Sequence, residues 1–161
     1  MTRQDLYTPA DLADLAVAVL GEIDLDPASD ASGRSPIPAK RIFTREDDGL
    51  AQPWEGRIWL FPPQDGRLAA WIAKLVHEYR CGRTTAALLY AGLDARAPWW
   101  QHLAVTDALI CFPAGAIRAD LADGSPLPRT RMAAILAYLG PEPKRFTAAT
   151  VDLGVVLRPA R

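Results

Sequence analysis

Cysteine is scarce in this chain of 161 residues: Cys81 and Cys111 are the only two, and they lie far apart. A disulfide framework is therefore excluded as the basis of the fold, and at this length none is needed. A single domain spanning 1–161 buries roughly 70% of the surface its unfolded chain exposes. Histidine is equally rare, with only His77 and His102, so few soft ligands are on hand for a metal. No apolar run reaches the ~20 residues that span a bilayer, and the polar start Met1-Thr2-Arg3-Gln4-Asp5 does not read as an export signal. A cytoplasmic location with no membrane contact is the expectation. Missing too are the glycine-framed serine elbow, a cysteine-nucleophile signature and a phosphate loop ending in Lys-Ser or Lys-Thr. Nor is there an excess of one charge, since the formal net charge is −1.

What charge there is lies unevenly. Residues 1 to 65 hold twelve acids against six bases, whereas 129 to 161 hold Arg129, Arg131, Lys144, Arg145, Arg158 and Arg161 against Glu142 and Asp152. Lys40, Lys74 and Lys144 are the only lysines among eighteen cations, so arginine dominates. Arginine's planar fork suits phosphate, which makes DNA a candidate partner; a solvated surface with arginine-rich coding explains the same pattern without one.

Hydrophobic periodicity organises the rest. Thr8-Pro9 predicts a helix start, Thr8 as N-cap and Pro9 in the first turn, with Ala10, Leu12, Leu15, Ala16, Val19 and Leu20 at helical spacing and Gly21 as the stop. Ile23 to Asp26 reads as a short strand ended by Pro27, and 28 to 40 as a long loop. Arg57 to Phe61 reads as a buried strand stopped by Pro62-Pro63. Asp65-Gly66 opens a second helix with Leu68, Trp71, Ile72, Leu75, Val76 and Tyr79 on one face. Thr84 to Tyr90 and Asp107 to Phe112 are apolar strands of the kind covered on both faces in a parallel sheet. Met132 to Leu139 fits a helix or a strand by period, and strand is the choice; 146 to 153 reads as a short helix ahead of Val155-Val156-Leu157. Strand and helix alternate, so the class is α/β with a mostly parallel sheet.

In such sheets ligands gather beyond the carboxyl ends of the strands. Three ends carry polar or turn residues: Asp26-Pro27, Phe61-Pro62-Pro63-Gln64 and Tyr90-Ala91-Gly92. Turn chemistry alone accounts for any one of these. Their order is more informative. Thr8-Pro9, Leu25-Asp26-Pro27-Ala28-Ser29, Asp47-Asp48-Gly49-Leu50, Trp54-Glu55-Gly56, and then a strand into Phe61-Pro62-Pro63, together resemble the phage-type DNA adenine-N6 methyltransferase (Dam-like) family. Trp99-Trp100 with His102 and the ending from Phe146 to Gly154 extend the resemblance over most of the chain. At 61–64, where that family has Asn-Pro-Pro-Tyr, this chain has Phe61-Pro62-Pro63-Gln64.

The resemblance implies a compact Rossmann-like fold that binds S-adenosylmethionine and acts on DNA in a bacterial or phage-infected cell. Thr8, Pro9, Asp26, Pro27, Ala28, Asp47 and Asp48 would be the cofactor-binding positions, with either Asp47 or Asp48 on the ribose and the other capping the turn. The catalytic positions would be Phe61, Pro62, Pro63 and Gln64. In the family motif the Asn side chain and the first Pro carbonyl accept hydrogen bonds from the target amine while Tyr stacks on the extruded base. Phe61 offers no acceptor, and Gln64 stacks less well than a phenol ring. The implied function is an adenine-N6 methyltransferase-like protein with weak or lost catalysis; the alternative is a pseudo-methyltransferase serving as a DNA- or protein-binding module. Sequence specificity would come from loops 28–40 and 113–130, the latter holding the Pro113-to-Arg118 segment. His77 and Cys81, four apart on the second helix, lack further ligands; packing of His77 and burial of both cysteines is the simpler expectation. Trp59 and Trp71 are expected in the core, and one ring of Trp99-Trp100 at the surface.

Overall fold

The computed structural model describes residues 6–115, 120, 121, 125 and 133–160. In chain order the elements are β1 (Leu6–Tyr7), α1 (Ala10–Leu20), β2 (Ile23–Asp26), β3 (Ala39–Ile42), β4 (Gly56–Leu60), α2 (Leu68–Arg80), β5 (Thr84–Gly92), α3 (Trp100–Ala104), β6 (Leu109–Pro113), β7 (Asp120–Leu121), β8 (Ala134–Leu139), α4 (Pro143–Thr150) and β9 (Gly154–Leu157). Seven strands form one sheet in the order β3-β2-β4-β5-β8-β6-β9, and β1 pairs with β7 separately. The strands β3, β2, β4 and β5 are mutually parallel, β8 runs antiparallel to both β5 and β6, and β9 antiparallel to β6. The class is thus α/β, Rossmann-like, with a mixed sheet that is parallel across β3, β2, β4 and β5 and antiparallel across β8, β6 and β9.

Alternation along the central strands sorts the core into two layers. Ile58 and Leu60 of β4 and Leu89 and Ala91 of β5 face α2 and α3, packing with Trp54, Trp71, Ile72, Leu75 and Leu103. Trp59, Leu88 and Tyr90 point the other way, towards Leu12, Ala16 and Val19 of α1 and Phe146 of α4. Each such fully buried large side chain stabilises by about 1.5–3 kcal/mol. Trp59 and Trp71 are core residues, as their size leads one to expect.

Several element ends differ from the sequence reading. Pro9, not Thr8, is the N-cap of α1: its carbonyl accepts the Leu12 and Ala13 N–H groups at 3.0 and 3.2 Å, and no side-chain cap is made. Thr8 is instead buried one residue earlier. Gly21 does end the helix, its N–H reaching the Val17 carbonyl at 2.8 Å. The helix α2 begins at Leu68 rather than Asp65-Gly66, because the Asp65 carboxylate accepts the Arg67 N–H at 2.9 Å and holds the preceding residues in a turn. The end of the expected loop 28–40 and the two residues beyond it form β3, and the expected strand 57–61 stops at Leu60, leaving Phe61 outside it. The 134–139 segment is a strand, inserted between β5 and β6. The final helix starts at Pro143 and ends at Thr150, and β9 follows. Met132, Arg118, Arg129, Arg131, Arg161 and most of the 113–130 loop lie outside the described residues.

Candidate functional site

From β2 the chain crosses outward to β3, then returns past β2 to β4 on its other side. The order therefore reverses between β2 and β4, and the carboxyl ends of these two strands, Asp26 and Leu60, diverge into separate loops at that point. An open α/β sheet binds ligands at such a reversal. An open cavity of about 160 Å³ lies there, lined by Thr8, Asp26, Pro27, Ala28, Asp48, Phe61, Pro62, Pro63 and Gln64 among others. Of the expected site residues, only Pro9 and Asp47 are not in its lining.

Local structure accounts for each wall. Asp26 folds back on its own turn, Oδ1 accepting the Ala28 N–H at 3.1 Å, while its carbonyl accepts the Phe43 N–H and the Phe43 carbonyl accepts the Ser29 N–H. The β2 turn is thereby tied to the end of β3. Asp26 is 4% exposed. Burial penalises its charged form and raises its pKa to about 7, against the lowering effect of the Ala28 and Ser29 hydrogen bonds.

The opposite wall is the turn 44–51. Asp47 caps it, Oδ2 accepting both the backbone N–H and the hydroxyl of Thr44 at 2.8 and 2.9 Å, which lowers the Asp47 pKa. Asp48 has φ 49°, a left-handed conformation Asp tolerates, and lines the cavity. Of the two acids, Asp47 caps the turn and Asp48 lines the cavity. Gly49 sits so close to the β2 turn that a Cβ there would lie 2.0 Å from the Pro27 carbonyl oxygen, and its own carbonyl accepts the buried Trp54 indole N–H at 2.7 Å. Gly56 has φ 85° and leaves no room for a Cβ beside the Asp24 carboxylate. That carboxylate accepts the Arg57 N–H and Nε, both at 2.9 Å. Gly49, Trp54 and Gly56 were not among the expected site residues, although the Asp-Asp-Gly and Trp-x-Gly patterns containing them were visible.

The third wall follows β4. Phe61 is half-buried and packs on Tyr90, their ring centroids 5.0 Å apart. Burial there pushes the Tyr90 hydroxyl up to about 12. Gln64 turns back, its Nε2 donating to the Pro62 carbonyl at 3.4 Å. Trp59 and Trp71 also line the cavity; their Nε1 atoms are buried and have no hydrogen-bond partner among the described residues.

Elsewhere, the expected packing of His77 and burial of Cys81 do not hold. Both are exposed at the end of α2, Sγ and Nε2 3.7 Å apart, because the face that they share points away from the sheet; Cys111 is buried. No group of three metal-ligating side chains occurs among the described residues. Trp99 is buried, while Trp100 is partly exposed, stacked near Phe112 and donating Nε1 to the Asp94 carbonyl at 2.8 Å. No described helix is long and apolar enough to cross a membrane. A scan against protein-family models and a search of the curated proteins each return no match.

Proposed function

We propose that this chain is an S-adenosylmethionine-binding, DNA adenine-N6 methyltransferase-like protein whose transfer chemistry is weakened or lost. The observation that carries the reading is the convergence of Thr8, Asp26-Pro27-Ala28, Asp48 and Phe61-Pro62-Pro63-Gln64 on one cavity at the sheet's order reversal. These residues come from four separate stretches of sequence with the landmarks of the methyltransferase resemblance.

The acceptor set fits the cofactor. S-adenosylmethionine combines cationic groups with ribose hydroxyls, and the Asp26 and Asp48 carboxylates offer acceptors for both. A cavity of about 160 Å³ is below the roughly 300 Å³ at which drug-sized ligand sites begin, so a nucleoside cofactor fills it in part and lies otherwise along the open mouth. When bound, the cofactor supplies a methyl group on a sulfonium sulfur.

The residues at the catalytic positions position an amine poorly. Phe61 has no acceptor and is already packed on Tyr90. The Pro62 carbonyl shares its lone pairs with the Gln64 amide, so the surviving acceptor is partly occupied. Each missing oriented contact is worth about a hundred- to thousandfold in rate. A DNA adenine extruded from its stack would meet an apolar ring instead of a polar clamp. The same two contacts favour the alternative reading, a pseudo-methyltransferase that binds DNA or a protein without transfer.

Calorimetric titration of S-adenosylmethionine, followed by a radiolabelled methyl-transfer assay on adenine-containing DNA, tests the proposal. Saturable micromolar binding with slow or absent transfer is expected. No binding at millimolar cofactor would refute the cofactor reading and leave the module; rapid transfer would refute the weakening.

A further inference from the structure

We propose that two copies of this chain associate through β9, which pairs antiparallel with itself about a two-fold axis at Val155, so that Asp152 of each copy meets Arg158 of the other. The inference is independent of what the cavity binds, since β9 forms the edge of the sheet remote from the reversal between β2 and β4.

The two edges of the sheet differ in kind. At one, β3 carries Lys40 and Arg41, and charge on an edge strand deters pairing with another chain. At the other, β9 reads Gly154-Val155-Val156-Leu157, with neither charge nor proline, and no described strand covers its outer side. Val156 packs with the α1 and α4 layer, which leaves Val155 and Leu157 on the other face, 63% and 54% exposed. With Val151 they are three of the six exposed large hydrophobic residues among those described, all within 151–157.

The ladder to β6 fixes which backbone groups of β9 are free. The Ala114 N–H donates to the Leu153 carbonyl at 2.9 Å, and the register sets Phe112 opposite Val155 and Pro113 opposite Gly154. Successive residues of an antiparallel strand turn their backbone groups to alternate sides. Leu153, Val155 and Leu157 therefore face β6, while Gly154 and Val156 present N–H and carbonyl to the open edge. Pro113, with no N–H to give, accordingly sits opposite Gly154, at a rung that needs none.

A second β9, laid antiparallel with the two Val155 residues opposite each other, pairs Gly154 of each copy with Val156 of the other, each pair exchanging both of its N–H to carbonyl bonds. Val155 then meets its own copy on the axis and Leu157 comes opposite Leu153, apolar against apolar. The same register brings the exposed Asp152 of each copy alongside the exposed Arg158 of the other, and neither makes an ion pair among the described residues. Sliding one strand by two residues keeps the hydrogen bonds but separates these charges. Charge thus selects both the register and the partner, because a second copy supplies the complementary ends. Both copies use the same edge and the remaining edges are the charged β3 strands, so the contact closes as a dimer.

The test is analytical sedimentation of the full chain from about 5 to about 500 µM, with amide hydrogen exchange at both ends of that range. A contact of one strand pair is at the weak end of protein interfaces, so a monomer–dimer transition within the range is expected, with no larger species. Exchange at Gly154 and Val156 should slow as concentration rises, while Val155 and Leu157, already turned to β6, should not change. Asp152→Arg and Arg158→Asp each place two like-charge pairs in the dimer and should weaken it about tenfold. An equimolar mixture of the two variants restores both opposite-charge pairs and should recover wild-type association, which would also show that both fold. A chain monomeric at about 500 µM, larger open assemblies, unchanged exchange at Gly154 and Val156, or a mixture of folded variants that associates no better than its components would each overturn the proposal. The wild-type exchange pattern decides the matter if a variant does not fold.

Discussion

Gly49→Ala is the sharpest perturbation of the site. In its present position a Cβ would sit 2.0 Å from the Pro27 carbonyl oxygen and 3.2 Å from both the Pro27 carbonyl carbon and Trp71 Cη2. The first distance is more than an ångström inside van der Waals contact, and its partner is backbone, so the turn 44–51 must lift away from the β2 turn. Gly49 is not among the glycines with left-handed φ, and the effect is therefore steric. Overpacking of this kind costs about 1–3 kcal/mol. Lifting also breaks the Trp54 Nε1 bond to the Gly49 carbonyl, buried and worth about 0.5–1.5 kcal/mol. Together the loss is about 2–4 kcal/mol, a fall in melting temperature of roughly 5–15 °C for a chain of this size. Thermal denaturation followed by circular dichroism measures it, with Gly115→Ala as control, since a Cβ at Gly115 meets nothing within 4 Å. The control is expected within about 0.5 kcal/mol of wild type. If Gly49→Ala melts within about 1 °C of wild type, the turn does not clamp the β2 end and the cavity wall is not built as described.

Three further outcomes are expected. Asp24→Asn removes the charge and one of the two acceptor oxygens that meet the Arg57 side chain, whose hydrogen bond is the largest influence holding the Asp24 carboxyl far below its usual range. A depressed carboxyl stabilises above its unfolded pKa, so the variant should lose about 1 kcal/mol at neutral pH, with the gap closing as pH falls below about 4, read from urea midpoints against pH. Asp26 has the opposite sign: its native pKa of about 7 lies above the unfolded value, so stability falls as pH rises from about 4 to 7, and Asp26→Asn should flatten that slope and gain a few kcal/mol at about pH 8. A steeper slope in the variant would refute the assignment. The double variant Phe61→Asn, Gln64→Tyr restores an acceptor, removes the Gln64 amide from the Pro62 carbonyl and supplies a stacking ring; methyl transfer to DNA adenine should rise by at least about a hundredfold, and no gain would count against simple loss of the motif.

The parallel half of the sheet was legible because strands covered on both faces leave unbroken apolar runs, as in Thr84 to Tyr90, and because Pro62-Pro63 cannot continue a ladder; the same signal in Asp107 to Phe112 misled, since a buried antiparallel strand is equally apolar and β6 is antiparallel to both its neighbours. The strand β3 was not legible. Its sequence Ala39-Lys40-Arg41-Ile42 is largely exposed at the sheet edge and lacks both alternation and apolar weight. The N-cap of α1 was misplaced by one residue because Thr-Pro satisfies the capping pattern in two registers, and only burial of Thr8 under the cavity selects between them. The position of β8 between β5 and β6 depends on long-range pairing that no local period encodes. Within the site, the cavity residues at the strand ends were legible from turn chemistry, whereas the contribution of Trp59 and Trp71 to the lining was not: a tryptophan in a core run gives no sign that it borders a cavity.

The landmarks that led to the methyltransferase resemblance divide by physical role. Asp47, Gly49, Trp54 and Gly56 do not offer chemistry to a ligand: the first caps a turn, the second and third clamp that turn to Pro27, and the fourth makes room for the Asp24–Arg57 pair. Each is sterically or geometrically specified, so substitution destabilises the chain whatever its activity. Phe61 and Gln64 are under no such constraint, being partly exposed at the cavity mouth and held by one ring contact and one long hydrogen bond. The landmarks at 47, 49, 54 and 56 therefore answer to the fold, whereas positions 61 and 64 do not. That asymmetry is why the resemblance bears more strongly on architecture and on the cavity than on turnover. It also makes ligand binding, rather than methyl transfer, the first measurement to perform.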